Sequence, residues 1–161
     1  MGKPSRASRP ETAQLLLPTP GPGRKGGSSG QAGLLPMTLD VLSQLPVSVI
    51  AATAGKIDLA AVPDNARIAD YLPVDIACRR AQLVICNGGS LTTYQALASG
   101  VPVIGLCSNM DQLLNMNAVA LLGAGITLRA ATLTTAGLSV AVTALLNKPS
   151  CAEAARRIGQ S

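Results

Sequence analysis

LVICNGGSLTTYQAL, residues 83–97, is the stretch that decides the fold. LVIC is a short apolar run that ends abruptly in turn residues, as expected for a strand buried on both faces. NGGS (87–90) interrupts it with two glycines. LTTYQALAS (91–99) then reads as a helix closed by Gly100 just past its end. The glycines permit close approach of a ligand to the backbone. The new helix offers unpaired N–H groups and the positive end of its dipole, and Ser90, Thr92 and Thr93 add hydroxyls. This is a phosphate-binding design, although such a turn alone is as often purely structural.

The same alternation extends outward. Upstream, residues 36–45 read as a helix stopped by Pro46, 47–53 (VSVIAAT) as a buried strand, 66–71 as a short strand and 74–81 as one or two helical turns. Downstream, 101–106 reads as a strand and 112–122 as a helix ended by Gly123 and Gly125. Residues 126–130 are the last strand, a helix capped by Thr134 or Thr135 runs to Leu146, and 152–158 form a final basic helix. Repeated βα units predict an α/β fold: a Rossmann-like, mainly parallel sheet of about five visible strands with helices on both faces.

Composition bounds the rest. Of 161 residues, 48% are hydrophobic, yet there is no Trp or Phe, so Ala, Leu, Val and Ile must pack the core. Residues 1–25 hold five of the eleven prolines and five basic side chains against Glu11 alone. That composition predicts a disordered leader over 1–25 and a folded domain over 26–161. The folded part is nearly neutral and carries no basic stripe or aromatic platform, which argues against nucleic-acid binding. Cys78, Cys86, Cys107 and Cys151 show no CxxC spacing and there is no His, so free thiols in a reducing compartment are expected and no metal site. The absence of a membrane-spanning run or signal peptide leads to a cytoplasmic expectation.

The stretch ADYLP…LVICNGGSLTTYQALASGVPVIGLCSNMDQLLNMNAV, residues 69–119, resembles the C-terminal domain of GT-B nucleotide-sugar glycosyltransferases, the UDP-glycosyltransferases and the bacterial macrolide and rhamnosyl transferases. Their signature runs W-x-P-Q, then H-G-G-x-G-T-x-x-E-A-L-x-x-G-V-P, then D-Q-x-x-N-A. The resemblance implies that Tyr71 stacks on the nucleotide base and that Asn87 stands in for the His that meets the α-phosphate. Gly88, Gly89, Ser90 and Thr92 match the diphosphate loop, with Leu91 in place of a third glycine. Gln95 replaces the Glu that accepts from the ribose diol. Asp111 and Gln112 match the pair that binds the sugar hydroxyls, and Asn115 matches a following structural Asn. Val74 replaces the usual Gln after the proline. Ser28 and Ser29, within Gly27-Ser28-Ser29-Gly30, match a Gly-Ser loop that faces the diphosphate, but PTPGPGRK (18–25) stands where the strand before that loop belongs. The first strand is therefore expected to be missing.

Each residue also has an ordinary reading: Tyr71 packing at half burial, Gln95 on a helix surface, Asp111 capping a helix. By the resemblance, the chain is a donor-binding half for a UDP- or TDP-sugar, with no other cofactor. Three functions remain open: a truncated hexosyltransferase inactive alone, a donor-binding subunit that needs a separate acceptor-binding partner, or a non-enzymatic nucleotide-sugar-binding module. A UDP-GlcNAc 2-epimerase is a weaker rival, because that family lacks this Asp-Gln placement.

Overall fold

The structure, a computed structural model, describes residues 34–52 and 61–161, together with the backbone of 11–16. Six parallel strands form one sheet: β1 (Glu11–Leu16), β2 (Val47–Ala52), β3 (Ala66–Ala69), β4 (Leu83–Cys86), β5 (Val103–Cys107) and β6 (Gly125–Arg129). Their order is β3-β2-β1-β4-β5-β6. The helices are α1 (Leu34–Ser43), α2 (Val74–Arg80), α3 (Ser90–Ala98), α4 (Met110–Leu121), α5 (Thr135–Asn147) and α6 (Pro149–Gly159).

Strands β4 and β5 are buried along their whole length, so their side chains supply two cores by simple alternation. Along β4, Leu83 and Ile85 join Leu35, Leu42, Leu138 and Val142 beneath α1 and α5. Val84 and Cys86 point the other way, into a core with Met116, Val119, Leu97 and Ala155 from α3, α4 and α6. No aromatic ring enters either core among the described residues; Tyr71 and Tyr94 are both exposed. Small and branched side chains let the layers approach closely. At Gly105 on β5, any Cβ would collide with the Met116 side chain.

Predicted boundaries moved by one to three residues, for local reasons. Helix α1 begins before Pro36, because a proline in the first turn gives up only an N–H that lacks an intrahelical partner. Helix α6 likewise starts at Pro149. Thr134 is the cap of α5, its hydroxyl accepting from the Gly137 N–H at 3.0 Å.

The expectation of a missing first strand is overturned. Residues 11–16 (ETAQLL) form β1 in the middle of the sheet, paired from Glu11–Val47 through Leu16–Ala52 on one side and from Ala13–Leu83 through Leu15–Ile85 on the other. The expected disorder of 1–25 therefore fails for 11–16; residues 1–10 and 17–25 lie outside the described residues. Compositional averaging hid the strand. Six residues suffice for a central strand, and Pro10 and Pro18 flank it without interrupting its hydrogen bonds.

The order 3-2-1-4-5-6 reverses direction between β1 and β4. In open parallel sheets, ligands bind outside the carboxyl ends of the strands at that reversal. Strand β4 runs from there directly into Asn87.

Candidate functional site

Asn87 leaves β4 and Gly88 turns the chain. Gly88 has φ +84°, a left-handed conformation that costs a side-chain-bearing residue. It also touches its surroundings closely: a Cβ there would lie 2.6 Å from Met116 Cγ and 2.9 Å from Cys107 Sγ. Gly89 is the N-cap of α3, extended at φ −64° and ψ 148°, with no side-chain cap on the helix. The first-turn N–H groups of α3 thus face the loop mouth at the positive end of the helix dipole.

Three side chains fix the loop. Asn87 Oδ1 accepts from the Gly89 N–H at 2.8 Å. Thr93 Oγ1 donates to the Gly89 carbonyl at 2.8 Å. Asn115 Nδ2, reaching from α4, donates to the Gly88 carbonyl at 2.8 Å. Thr93 is fully buried, so its hydroxyl serves the loop rather than a ligand, a correction to the sequence reading. Ser90 is exposed and Thr92 and Gln95 are half-buried on the same helix.

Helix α4 opens over the same edge. Its cap is Asn109, whose Oδ1 accepts from the Gln112 N–H at 2.9 Å; Asp111 does not cap it and is exposed. Gln112 Oε1 accepts from the Ser108 N–H at 2.9 Å and from its hydroxyl at 3.2 Å. Tyr71 follows β3 and is 76% exposed, which removes the packing alternative for it. Along the carboxyl edge the order is therefore Tyr71 after β3, the 87–90 loop after β4, and Asp111 and Gln112 after β5. The hydrogen bonds bring the loop and α4 into direct contact, while Tyr71 stands apart on the β3 side. Ser28 and Ser29 lie outside the described residues.

Burial favours the neutral form of three thiols. Burial pushes Cys86 up to about 11, against the opposing pull of hydrogen bonds from the Gly88 N–H and Thr93. Burial likewise raises Cys107 and Cys78 to about 11. All four cysteines are free. No set of three His, Cys, Asp or Glu side chains among the described residues could hold a metal ion, and no described helix is long and apolar enough to cross a membrane.

Residues 36–161 match the model of the family described as erythromycin biosynthesis protein CIII-like, C-terminal domain. The chain belongs to this family. The CIII-like domain is 54% identical over 135 residues to a "PGL/p-HBAD biosynthesis glycosyltransferase" of Mycobacterium tuberculosis, covering 84% of this chain and 32% of that protein. It is 47% identical over 159 residues to a "PGL/p-HBAD biosynthesis rhamnosyltransferase" of Mycobacterium bovis, covering 98% of this chain and 35% of that one. The chain thus spans about a third of the length of these relatives. Among solved structures it is similar to the spinosyn rhamnosyltransferase SpnG complexed with thymidine diphosphate, with a TM-score of 0.78 and 29% identity over 96% of this chain and 42% of that one. The CIII-like domain has the fold of the C-terminal half of a GT-B glycosyltransferase.

Proposed function

We propose that this CIII-like domain binds the nucleoside-diphosphate sugar of a glycosyl transfer reaction and stabilises the departing diphosphate. The observation that carries this is the braced Gly88-Gly89 turn at the N-terminus of α3, set at the reversal point of the sheet. Backbone N–H groups from Gly89 and the first turn of α3 face the α- and β-phosphates, with the Ser90 and Thr92 hydroxyls beside them. Tyr71 stacks on the base, Asn87 meets the α-phosphate and Gln95 binds the ribose diol. Asp111 accepts from sugar hydroxyls. Gln112, its Oε1 turned to Ser108, presents its amide N–H₂ to the sugar. Ser28 and Ser29 add diphosphate contacts, as the family resemblance implies.

In the reaction, an acceptor hydroxyl attacks the anomeric carbon, its proton passing to a base. The bond from that carbon to the diphosphate oxygen breaks, and the diphosphate leaves with the electron pair. Preorganised N–H donors and the dipole of α3 stabilise the charge that develops on that oxygen. The acceptor and the base come from a second unit, in the same polypeptide or a separate one, and the domain alone does not transfer sugar. The donor is a UDP- or TDP-hexose; the names of the rhamnosyltransferase relatives support TDP-rhamnose as the first to try.

Calorimetry on Asp111→Ala tests the assignment of the sugar end. The substitution is expected to weaken TDP-rhamnose by about three- to tenfold and leave TDP within about twofold, the scale of one or two sugar hydrogen bonds. Equal loss for both ligands would remove Asp111 from the sugar site.

A further inference from the structure

The Gly88 carbonyl and the Gly89 N–H belong to one peptide unit, and no described peptide bond is cis. In a trans peptide these two groups point in opposite directions. Asn115 Nδ2 holds the carbonyl at 2.8 Å on the α4 side, so the N–H is turned away from α4 and meets Asn87 Oδ1 at 2.8 Å on the other. The following peptide is fixed differently. The Gly89 carbonyl accepts from the Thr93 N–H at 3.2 Å and the Thr93 hydroxyl at 2.8 Å, within α3 itself. Asn115 is thus the hold on the Gly88-Gly89 peptide that comes from a different element. With glycine on both sides, this peptide can rotate by half a turn at small steric cost. Rotation would replace an outward N–H with an outward carbonyl oxygen, exchanging an anion donor for an anion repeller.

We propose that Asn115 is a positioning residue that locks the Gly88-Gly89 peptide with its N–H facing the donor diphosphate. The lock rests on the donor-binding reading above. Helix α4 is a firm base for it, since Met116 beside Asn115 is fully buried against Gly88 and Gly105. When diphosphate arrives, a phosphate oxygen takes the place of Asn87 Oδ1 on the Gly89 N–H, while the bond from Asn115 persists.

Asn115→Asp separates this role from packing. The carboxylate has nearly the shape of the amide but no N–H, and it repels the Gly88 carbonyl. It therefore favours the rotated peptide, whose N–H would turn inward to it. Titrations of the 161-residue chain and its variants with TDP and thymidine are the test. Asn115→Asp is expected to weaken TDP by about thirtyfold or more and Asn115→Ala by about three- to tenfold, as for a hydrogen bond that controls a charged contact. Thymidine affinity should stay within about twofold in both. A packing role would reverse the ranking, with Asn115→Ala the worse, and overturn the proposal, as would an unchanged TDP affinity in Asn115→Asp. Wild-type protein that fails to bind TDP would defeat the donor-binding reading instead. If neither variant folds, the wild-type NMR signals decide: on TDP binding the Gly89 amide must shift while the Asn115 side-chain amide signals hold, and a Gly89 amide that does not respond would end the proposal.

Discussion

Adjacent glycines at the turn have different jobs, and substitutions should tell them apart. At Gly88 a methyl group meets Met116 at 2.6 Å on a backbone with φ +84°. Gly88→Ala is expected to destabilise the domain by about 2–4 kcal/mol in chemical denaturation, combining backbone strain with overpacking. Gly89 has φ −64° and only the Asn87 side chain near its Cβ position, with Oδ1 at 3.0 Å. Gly89→Asp should therefore fold, yet lose TDP binding by setting a carboxylate against the phosphates. The thiols give a second residue-scale expectation. Cys78, Cys86 and Cys107 are raised from 9.0 to about 11, so the folded state favours the neutral thiol. Their contribution to stability is fully present below about pH 9 and is lost as pH rises towards 11. Ellman's reagent at pH 8 should react rapidly with partly exposed Cys151 and slowly with the other three until the chain is unfolded.

Elements explain which of these roles could be read in advance. The 83–97 stretch was legible because strand, turn and helix are contiguous and each is marked by local residue types. Asn115 was legible only as a structural residue, since its partner Gly88 lies 27 positions away and depends on how α4 packs. Asp111 was open as a cap, but Asn109, two residues earlier, took the position because its side chain reaches the Gln112 N–H in the usual capping geometry. Asn109→Ala is accordingly expected to cost about 1 kcal/mol, with the loss confined to the start of α4 in amide exchange. Equal loss of protection across all helices would mean that α4 does not respond as a separate element.

At the scale of the molecule, β1 is where sequence reading went astray. A six-residue strand enclosed by prolines and charges carries too little signal against a window of 25 residues, and its pairing on both edges is a property of the assembled sheet. Gln14 pairs with Ile50 and Val84 at once, so Gln14→Pro should disrupt a central ladder and unfold most of the chain by circular dichroism, a cost of about 3 kcal/mol or more. A native-like spectrum would show that the sheet stands without β1. With β1 in place, the reversal of strand order sets the 87–90 loop where a parallel sheet binds its ligand, which supports the proposal that this edge holds a nucleoside-diphosphate sugar. Amide NMR titration with TDP-rhamnose tests it most directly. The expected result is saturable shifts at residues 87–95 and 108–115, with Kd from roughly 0.1 mM to several mM for an open edge where the diphosphate stays hydrated. A well-folded sample whose signals do not move there at millimolar TDP-rhamnose, TDP or UDP would contradict it.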